Sequence, residues 1–202
     1  MYRLIISVVL VCCLQACSLG GGTAPENHYY RIPEITVEQQ TSTGLHSVVI
    51  KPVKASGLYH ERAILYVEKT RPLELKRYHY NFWSETPANL LQDALYQGLS
   101  SSKLATQISR EMNASRPDLI INSRIVNFER VIDDSTVDVE VALDVTVLSG
   151  KDASKSWSRR YQSTQHIDST DMYYSAKAFG RALQQITEQL VADLLVFDSL
   201  VK

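Results

Sequence analysis

The sequence predicts an α+β domain in which a mostly antiparallel sheet carries two main amphipathic helices on one of its faces. Three observations lead to this fold class. The segment from Val137 to Val147 alternates strictly between apolar and polar or small residues, which is typical of a long strand with one buried face. Two other segments repeat apolar residues every three or four positions, as helices with one buried face do. Of the 202 residues, 45% are hydrophobic and 21% charged, the composition of one ordinary globular domain.

Four strand-like segments precede the first helix. They are residues 29–32, 47–53, 63–68 and 73–80, which are rich in β-branched and aromatic side chains. The helix then begins at Thr86-Pro87, because Thr can cap free amide groups and Pro at the first helical position loses no needed hydrogen bond. It runs to about Ser101, and its apolar stripe is Leu90, Leu91, Ala94, Leu95, Gly98 and Leu99.

An antiparallel meander is predicted for the second half of the chain. Its strands are residues 119–132, 137–147 and 156–165, and its turns are residues 133–135 and 149–152. We expect Arg159 and Arg160 on the third strand to meet the acidic face of the second. Because exposed pairs of this kind contribute only about 0–1 kcal/mol, we interpret these charges as a solvated face rather than a binding site.

The second helix is predicted between about Asp171 and Asp198. Its apolar stripe is Ala176, Phe179, Leu183, Ile186, Leu190, Leu194 and Phe197. Just before it, His166, Asp168 and Asp171 could bring nitrogen and oxygen ligands together. The alternative, which we favour, is that the polar residues 168–171 cap the helix and complement its dipole.

The N-terminus has the pattern of a secretory signal. A cationic start at Arg3 precedes the apolar run Leu4 to Leu14, which is much shorter than the roughly 20 residues that span a bilayer. The following Leu14-Gln15-Ala16-Cys17 resembles the bacterial lipobox. That resemblance implies cleavage before Cys17, with diacylglycerol on its thiol and an acyl chain on its new amino group. An ordinary cleavage after Ala16, or an intracellular apolar helix, is the alternative.

These signals predict three regions. Residues 1–16 form a lipoprotein signal peptide, residues 17–28 an acylated cysteine with a Gly-rich tether, and residues 29–202 a single domain. Two or more acyl chains hold a protein firmly to a membrane, whereas one does so only marginally. Ser18 stands where an Asp commonly retains such proteins in the inner membrane. The lipobox resemblance therefore implies a periplasm-facing location on the outer membrane.

Composition and motifs exclude several kinds of function. The formal net charge of −1 shows no cationic surplus for nucleic acid. The three cysteines are residues 12, 13 and 17, so the domain has no disulfide and no thiolate site. No Gly-x-Ser-x-Gly elbow, phosphate loop or His-Glu-x-x-His motif is present. We therefore expect no catalytic residues, no metal and no cofactor other than the lipid on Cys17.

Large aromatic residues gather ahead of the first helix. Tyr78, Tyr80 and Trp83 are candidates either for a packed corner of the core or for a partner-binding surface. Packing is the interpretation we favour. Their order carries a resemblance: Tyr78-x-Tyr80-x-x-Trp83-x-x-x-Pro87-x-x-Leu90-Leu91-x-x-x-Leu95-x-x-x-Leu99.

With the lipobox, Tyr29-Tyr30 and residues 49–53, this pattern resembles the ABC-type transport auxiliary lipoprotein family. The resemblance implies a non-catalytic, outer-membrane auxiliary subunit of an ABC-type lipid transport system. It implies a periplasmic MCE-domain protein as partner, and we also expect that the chain could form a homo-oligomer. Within the pattern, it implies structural roles for Tyr78, Tyr80 and Trp83.

Two other functions stay open at this point. One is an envelope assembly lipoprotein that supports a β-barrel translocon, since such proteins share a sheet with two helices. The other is a lipid-modifying enzyme. The absence of an ordered Ser, His and Asp arrangement in the sequence argues against the enzyme.

Overall fold

The computed structural model of the protein describes residues 25–40, 44–111, 116–152 and 154–201. Its strands are β1 (His28–Tyr30), β2 (Leu45–Ile50), β3 (Ala63–Glu68), β4 (Arg71–Trp83), β5 (Ala105–Ser109), β6 (Leu119–Asp133), β7 (Thr136–Ser149) and β8 (Ser156–Ile167). The helices are α1 (Pro87–Ser102) and α2 (Met172–Val201), and a short 3₁₀ turn lies at Gly57–His60. The predicted signal peptide, Cys17 and most of the predicted tether lie outside the described residues.

The predicted meander forms the long part of the sheet. Strands β6 and β7 pair antiparallel from Leu119↔Ser149 to Asp133↔Thr136, and β7 pairs with β8 in the same way. The six alternating apolar residues of β7 are all buried, as the pattern predicts: Val137, Val139, Val141, Leu143, Val145 and Val147.

A β-bulge in β6 changes which residues face the core. The register against β7 shifts between Ile125 and Asn127. Ile125 lies opposite Leu143, but beyond the bulge it is Arg130 that lies opposite the buried Val139. Because directly opposed residues share one face, the extra residue turns Arg130 rather than Glu129 toward the helix side.

The other edge of β6 is shared by two strands. Strand β2 pairs parallel with its first part, and β3 pairs parallel with its last part. The order along the sheet is β1-β4-β3-β6-β2-β5, with β7 and β8 beyond the opposite edge of β6. The fold class is confirmed: a mixed sheet in which the antiparallel ladders are the longest, with two helices on one face.

Both helices cover the same face because they also pack on each other. Thr86 caps α1 as predicted, since its hydroxyl accepts the Asn89 N–H, and Lys103 ends the helix in the left-handed region at φ 55°. An aromatic cluster is formed by Trp83 of β4, Phe128 of β6 and Phe179 of α2, whose ring centroids are 4.6–5.3 Å apart. This aromatic triangle joins the sheet to α2.

The two helices pack tightly against each other at Gly98 of α1. A Cβ atom there would lie 2.6 Å from the methyl carbon of Thr187 in α2, closer than van der Waals contact allows. Thr187 is fully buried, and its hydroxyl donates to the Leu183 carbonyl at 2.8 Å, so its rotamer is held in place. Only glycine therefore fits at position 98 without moving a helix.

We expect Gly98→Ala to lower the free energy of unfolding by about 1–2 kcal/mol. Overpacking a core costs about 1–3 kcal/mol, and alanine returns up to about 1 kcal/mol of helix propensity. Urea unfolding measures the change. The Thr187→Ser variant lacks the clashing methyl group. In that background, Gly98→Ala should therefore destabilise the protein much less than it does in the wild type. A Gly98→Ala protein more stable than the wild type would contradict the tight approach.

The structure differs from the sequence predictions in the bounds of several strands, in one further strand and in one ion pair. For example, β2 ends at Ile50 instead of residue 53, and β4 covers Arg71–Trp83 instead of residues 73–80. Strand β5 was not predicted, because Thr106, Gln107 and Ser109 give no apolar alternation on this exposed edge strand. Arg160 does meet Asp144 on β7, at 2.7 Å, but Arg159 does not join that acidic face. It points to the helix side and pairs with Asp193 of α2 at 2.7 Å, since successive residues of a strand face opposite sides.

Candidate functional site

The three predicted aromatic residues lie in three different environments. Trp83 is 1% exposed, inside the aromatic triangle. Tyr78 is half-buried, with its ring 4.6 Å from that of Tyr66. Tyr80 is 45% exposed and lies next to His79. They do not form one continuous recognition surface, because the irregular register of β4 turns neighbouring residues in different directions.

A buried arginine, which the sequence did not reveal, lies behind Tyr78. Arg130 is 2% exposed and donates hydrogen bonds to the Tyr78 hydroxyl and, at 2.7 Å, to the Thr170 carbonyl. Its Nε has no hydrogen-bond partner within the described part of the chain. Burial lowers the pKa of the Arg130 guanidinium, against the opposing effects of Tyr78 and Asp171. Arg130 thus ties β6 to β4 and to the start of α2.

A surface of aromatic and cationic side chains lies at the first strand. The rings of Tyr29 on β1 and Phe82 on β4 stack with centroids 5.7 Å apart, and the Arg62 guanidinium lies 5.3 Å from the Tyr29 ring. Together with His79 and Arg77 these residues line a concavity of about 560 Å³. We call this set (Tyr29, Arg62, Arg77, His79 and Phe82) the β1–β4 surface.

A second concavity, of about 470 Å³, lies on the face of the meander away from the helices. Asp144 accepts from Arg124 and Arg160, each at 2.7 Å, and these two cations lower the pKa of its carboxyl, Arg160 the more strongly. Lys54 also lines the concavity, and Asp144 is the one carboxylate among its lining residues. All of these groups are solvent-exposed or half-buried, and the concavity is shallow enough for water to screen them.

Two carboxylates face each other further along the same side of the sheet. Glu129 on β6 lies directly opposite Glu140 on β7 and accepts the Tyr59 hydroxyl and, at 3.1 Å, the Asn127 amide. Burial, with Glu129 and Asp138 nearby, raises the pKa of Glu140. Burial and the bond to Glu129 raise the pKa of the Tyr59 hydroxyl. Glu140 therefore takes up a proton at a higher pH than an exposed glutamate does.

Of the three residues considered for a metal site, His166 and Asp168 contact each other, whereas Asp171 caps the last helix. His166 bonds through Nδ1 to Asp138 at 2.7 Å and through Nε2 to Asp168 at 3.1 Å. The Asp171 carboxylate accepts the Tyr173 N–H at 2.9 Å, which places it as the cap of α2. Within the described ranges, no three His, Cys, Asp or Glu residues are grouped as metal ligands.

The two carboxylates raise the pKa of His166, Asp138 more strongly than Asp168. We expect Asp138→Asn to lower that pKa toward the ordinary value, and Asp168→Asn, at the longer contact, to lower it less. NMR titration of the imidazole measures both. Because the folded-state pKa is raised, the stabilisation by these contacts is complete below the unfolded pKa of 6.5 and is lost as pH rises through the folded pKa. If the pKa of His166 in Asp138→Asn stays at its wild-type value, the contact with Asp138 is contradicted.

The model of the family described as "ABC-type transport auxiliary lipoprotein component" matches residues 30–191, from β1 to most of α2. The chain belongs to this family. This match confirms the family that the pattern of residues from Tyr78 to Leu99 indicates. As an ABC-type transport auxiliary lipoprotein, the protein is assigned to the membrane-anchored lipoproteins of the cell envelope.

Solved structures with the same fold support the architecture of this auxiliary lipoprotein. Protein XCC0632 from Xanthomonas campestris, of the family named DUF330, has a TM-score of 0.74 and 22% identity, covering 85% of this chain and 97% of that one. The hypothetical protein CT253 from Chlamydia trachomatis has a TM-score of 0.52 and 11% identity, covering 77% and 98%. At these identities the likeness concerns the fold alone.

No curated protein sequence matches this auxiliary lipoprotein. Among the helices of the described residues, none is both long and apolar enough to cross a membrane. The second helix illustrates why: α2 is 30 residues long but amphipathic, with one face in the core and charged residues on the other.

Proposed function

We propose that this protein is an outer-membrane lipoprotein that acts as a non-catalytic auxiliary subunit of an ABC-type lipid transport system. In this role it docks a periplasmic MCE-domain protein at the receiving membrane. The observation that carries the proposal is the family match over residues 30–191, combined with the lipobox that ends at Cys17.

A docking subunit is useful to lipid transport for a physical reason. A lipid tail in water exposes apolar surface at a cost of roughly 25 cal/mol per Å², so its path between two membranes has to be sheltered at both ends. A domain held by acyl chains on Cys17 would keep the end of such a path at one membrane.

The polar residues of the described chain support a binding role rather than a catalytic one. His166 is held between two carboxylates, and Glu129 is bonded to Tyr59 and Asn127. A general base has to reach its substrate, and these groups are occupied by structural contacts. The Ser158 hydroxyl, which lines the concavity around Asp144, bonds to the Thr146 hydroxyl at 2.8 Å rather than to a base.

Free sheet edges offer docking surfaces for a partner. In the described chain, β8 pairs only with β7, and β5 pairs only with β2. An unpaired strand edge can add a strand from another chain. The same edges would serve a homo-oligomer of the lipoprotein.

The proposal is tested by crosslinking the protein in its native envelope. The chain is purified through a C-terminal tag, and the captured proteins are identified by mass spectrometry. Capture of an MCE-domain protein together with an ABC permease is the expected result. Cells that produce the Cys17→Ala variant provide the control, because the unanchored domain should capture much less. Specific capture of a β-barrel translocon instead, or no anchored partner at all, would overturn the transport role.

A further inference from the structure

We propose that the β1–β4 surface lies against the phospholipid headgroups of the membrane that holds the protein. The inference rests on the proposed acylation of Cys17 and names the orientation that this anchor gives the domain. Its two supports are the chemistry of the exposed side chains and their position at the start of the folded chain.

The exposed chemistry is that of a membrane interface. Tyr29 is 58% exposed although it is aromatic, and it stacks on Phe82 instead of being covered by the domain. Tyrosine and arginine have apolar bodies and polar tips, and such side chains favour the boundary between lipid and water. This combination suits the headgroup layer better than bulk water.

The cations of this surface are arranged to meet phosphate. Arg77 is neutralised by Glu61 at 2.6 Å, but Arg62 forms no ion pair with a carboxylate in the described residues. The Arg62 Nε donates to the Trp83 carbonyl at 3.1 Å, which holds the guanidinium over the Tyr29 ring. Its remaining N–H groups are therefore pre-oriented beside the aromatic pair, where a lipid phosphate would accept them.

The length of the intervening chain keeps this surface near the membrane. Eleven peptide steps separate Cys17 from His28, the first residue of β1, so β1 lies within about 38 Å of the anchor at full extension. The opposite edge, β8, lies five strands from β1 along the sheet, at roughly 24 Å from it.

Because the protein is anchored, a low affinity of the β1–β4 surface for lipid is enough to orient the domain. Once acyl chains hold the protein, a second contact with the same membrane is intramolecular, at an effective concentration in the mM range for a short linker. The β1–β4 surface therefore needs little affinity of its own to fix the orientation of the domain. Its function would be to present the opposite edge of the sheet, with β8, to the periplasm.

The test uses the acylated protein in vesicles of phosphatidylethanolamine and phosphatidylglycerol. Acylation occupies the thiol of Cys17, and the chain after it has no other cysteine, so a single engineered cysteine takes the only spin label. The labels replace Tyr29 and His79 on the β1–β4 surface, as Tyr29→Cys and His79→Cys. The matched controls are Ser158→Cys and Gln162→Cys on β8, both exposed. A thermal unfolding curve confirms that each labelled protein is folded.

Collision rates with oxygen and with a water-soluble nickel chelate report the depth of each label. On reconstitution we expect the nickel-chelate collision rate to fall several-fold at positions 29 and 79 and the oxygen rate to rise, with no change at 158 and 162. Equal water exposure at all four positions in the acylated protein would overturn the orientation. So would protection at 29 and 79 that appears only with an envelope protein added, because the surface would then bind that protein.

The proposed function fails in a different and separable way. Mass spectrometry of the purified protein reports the acyl groups on Cys17 before any label is attached. A protein without them overturns the anchor and, with it, the orientation. An acylated protein whose labels stay in water overturns the orientation alone.

Discussion

The Trp83→Ala variant is expected to lose about 3–5 kcal/mol of unfolding free energy, a large part of the 5–15 kcal/mol that stabilises a typical domain. Trp83 is 1% exposed, and its ring lies 5.3 Å from Phe128 and 5.0 Å from Phe179. Its removal would leave a cavity where the sheet meets α2, because neighbouring rings cannot fill the space of an indole.

Urea unfolding followed by circular dichroism measures this loss without relying on the tryptophan that is removed. Tyr80→Ala is the matched control, since Tyr80 is an aromatic residue of the same strand that is 45% exposed. We expect that control to change stability by no more than about 0.5 kcal/mol. A Trp83→Ala domain as stable as the wild type, but defective in partner capture, would favour recognition over packing for this residue.

The Cys17→Ala variant is expected to lose both its acyl groups and its retention in the membrane fraction. The lipobox resemblance implies that diacylglycerol is attached to the thiol of Cys17. An alanine side chain has no nucleophile that could replace this thiol. In the part of the chain that the structure describes, every buried core residue comes after position 28, so the released protein should remain folded. Mass spectrometry and envelope fractionation measure the two losses.

Cys13→Ala is the matched control for this experiment. It removes a neighbouring cysteine from the apolar run of the signal while leaving the lipobox Leu14-Gln15-Ala16-Cys17 intact. We expect it to be acylated and retained like the wild type. A Cys17→Ala protein that still fractionates with the outer membrane would show that another contact holds it there.

The elements that could be predicted from the sequence are those with a complete local signal. Helix α1 has a capping residue, a proline and a regular stripe, and the structure begins it at Pro87 and ends it at Ser102, one residue from the prediction. Strand β3 has the predicted bounds, Ala63–Glu68. Strand β5 has no such signal, since its polar residues form a strand only because β2 lies beside it.

The site residues also fall into those with a local sequence signal and those without one. Cys17 stands in a motif of four consecutive residues, and the prediction of its acylation needs no fold. The sequence alone does not distinguish Arg130 from an exposed charged residue of a strand. Only the bulge at Ile125 and Asn127 turns it inward, and only the return of β4 brings it the hydroxyl of Tyr78, 52 residues earlier in the chain.

The sequence by itself determined the α+β content, the two helices, the meander, the lipobox and the family pattern. Each of these depends on hydrogen bonds or apolar periodicity within a short stretch of chain. The tertiary structure alone decided that β2 and β3 share one edge of β6 in parallel, and that Tyr29 stacks on Phe82. Such contacts join residues far apart in the chain. They form because burying several surfaces together outweighs the entropy of closing the loops between them, a balance that no single segment contains.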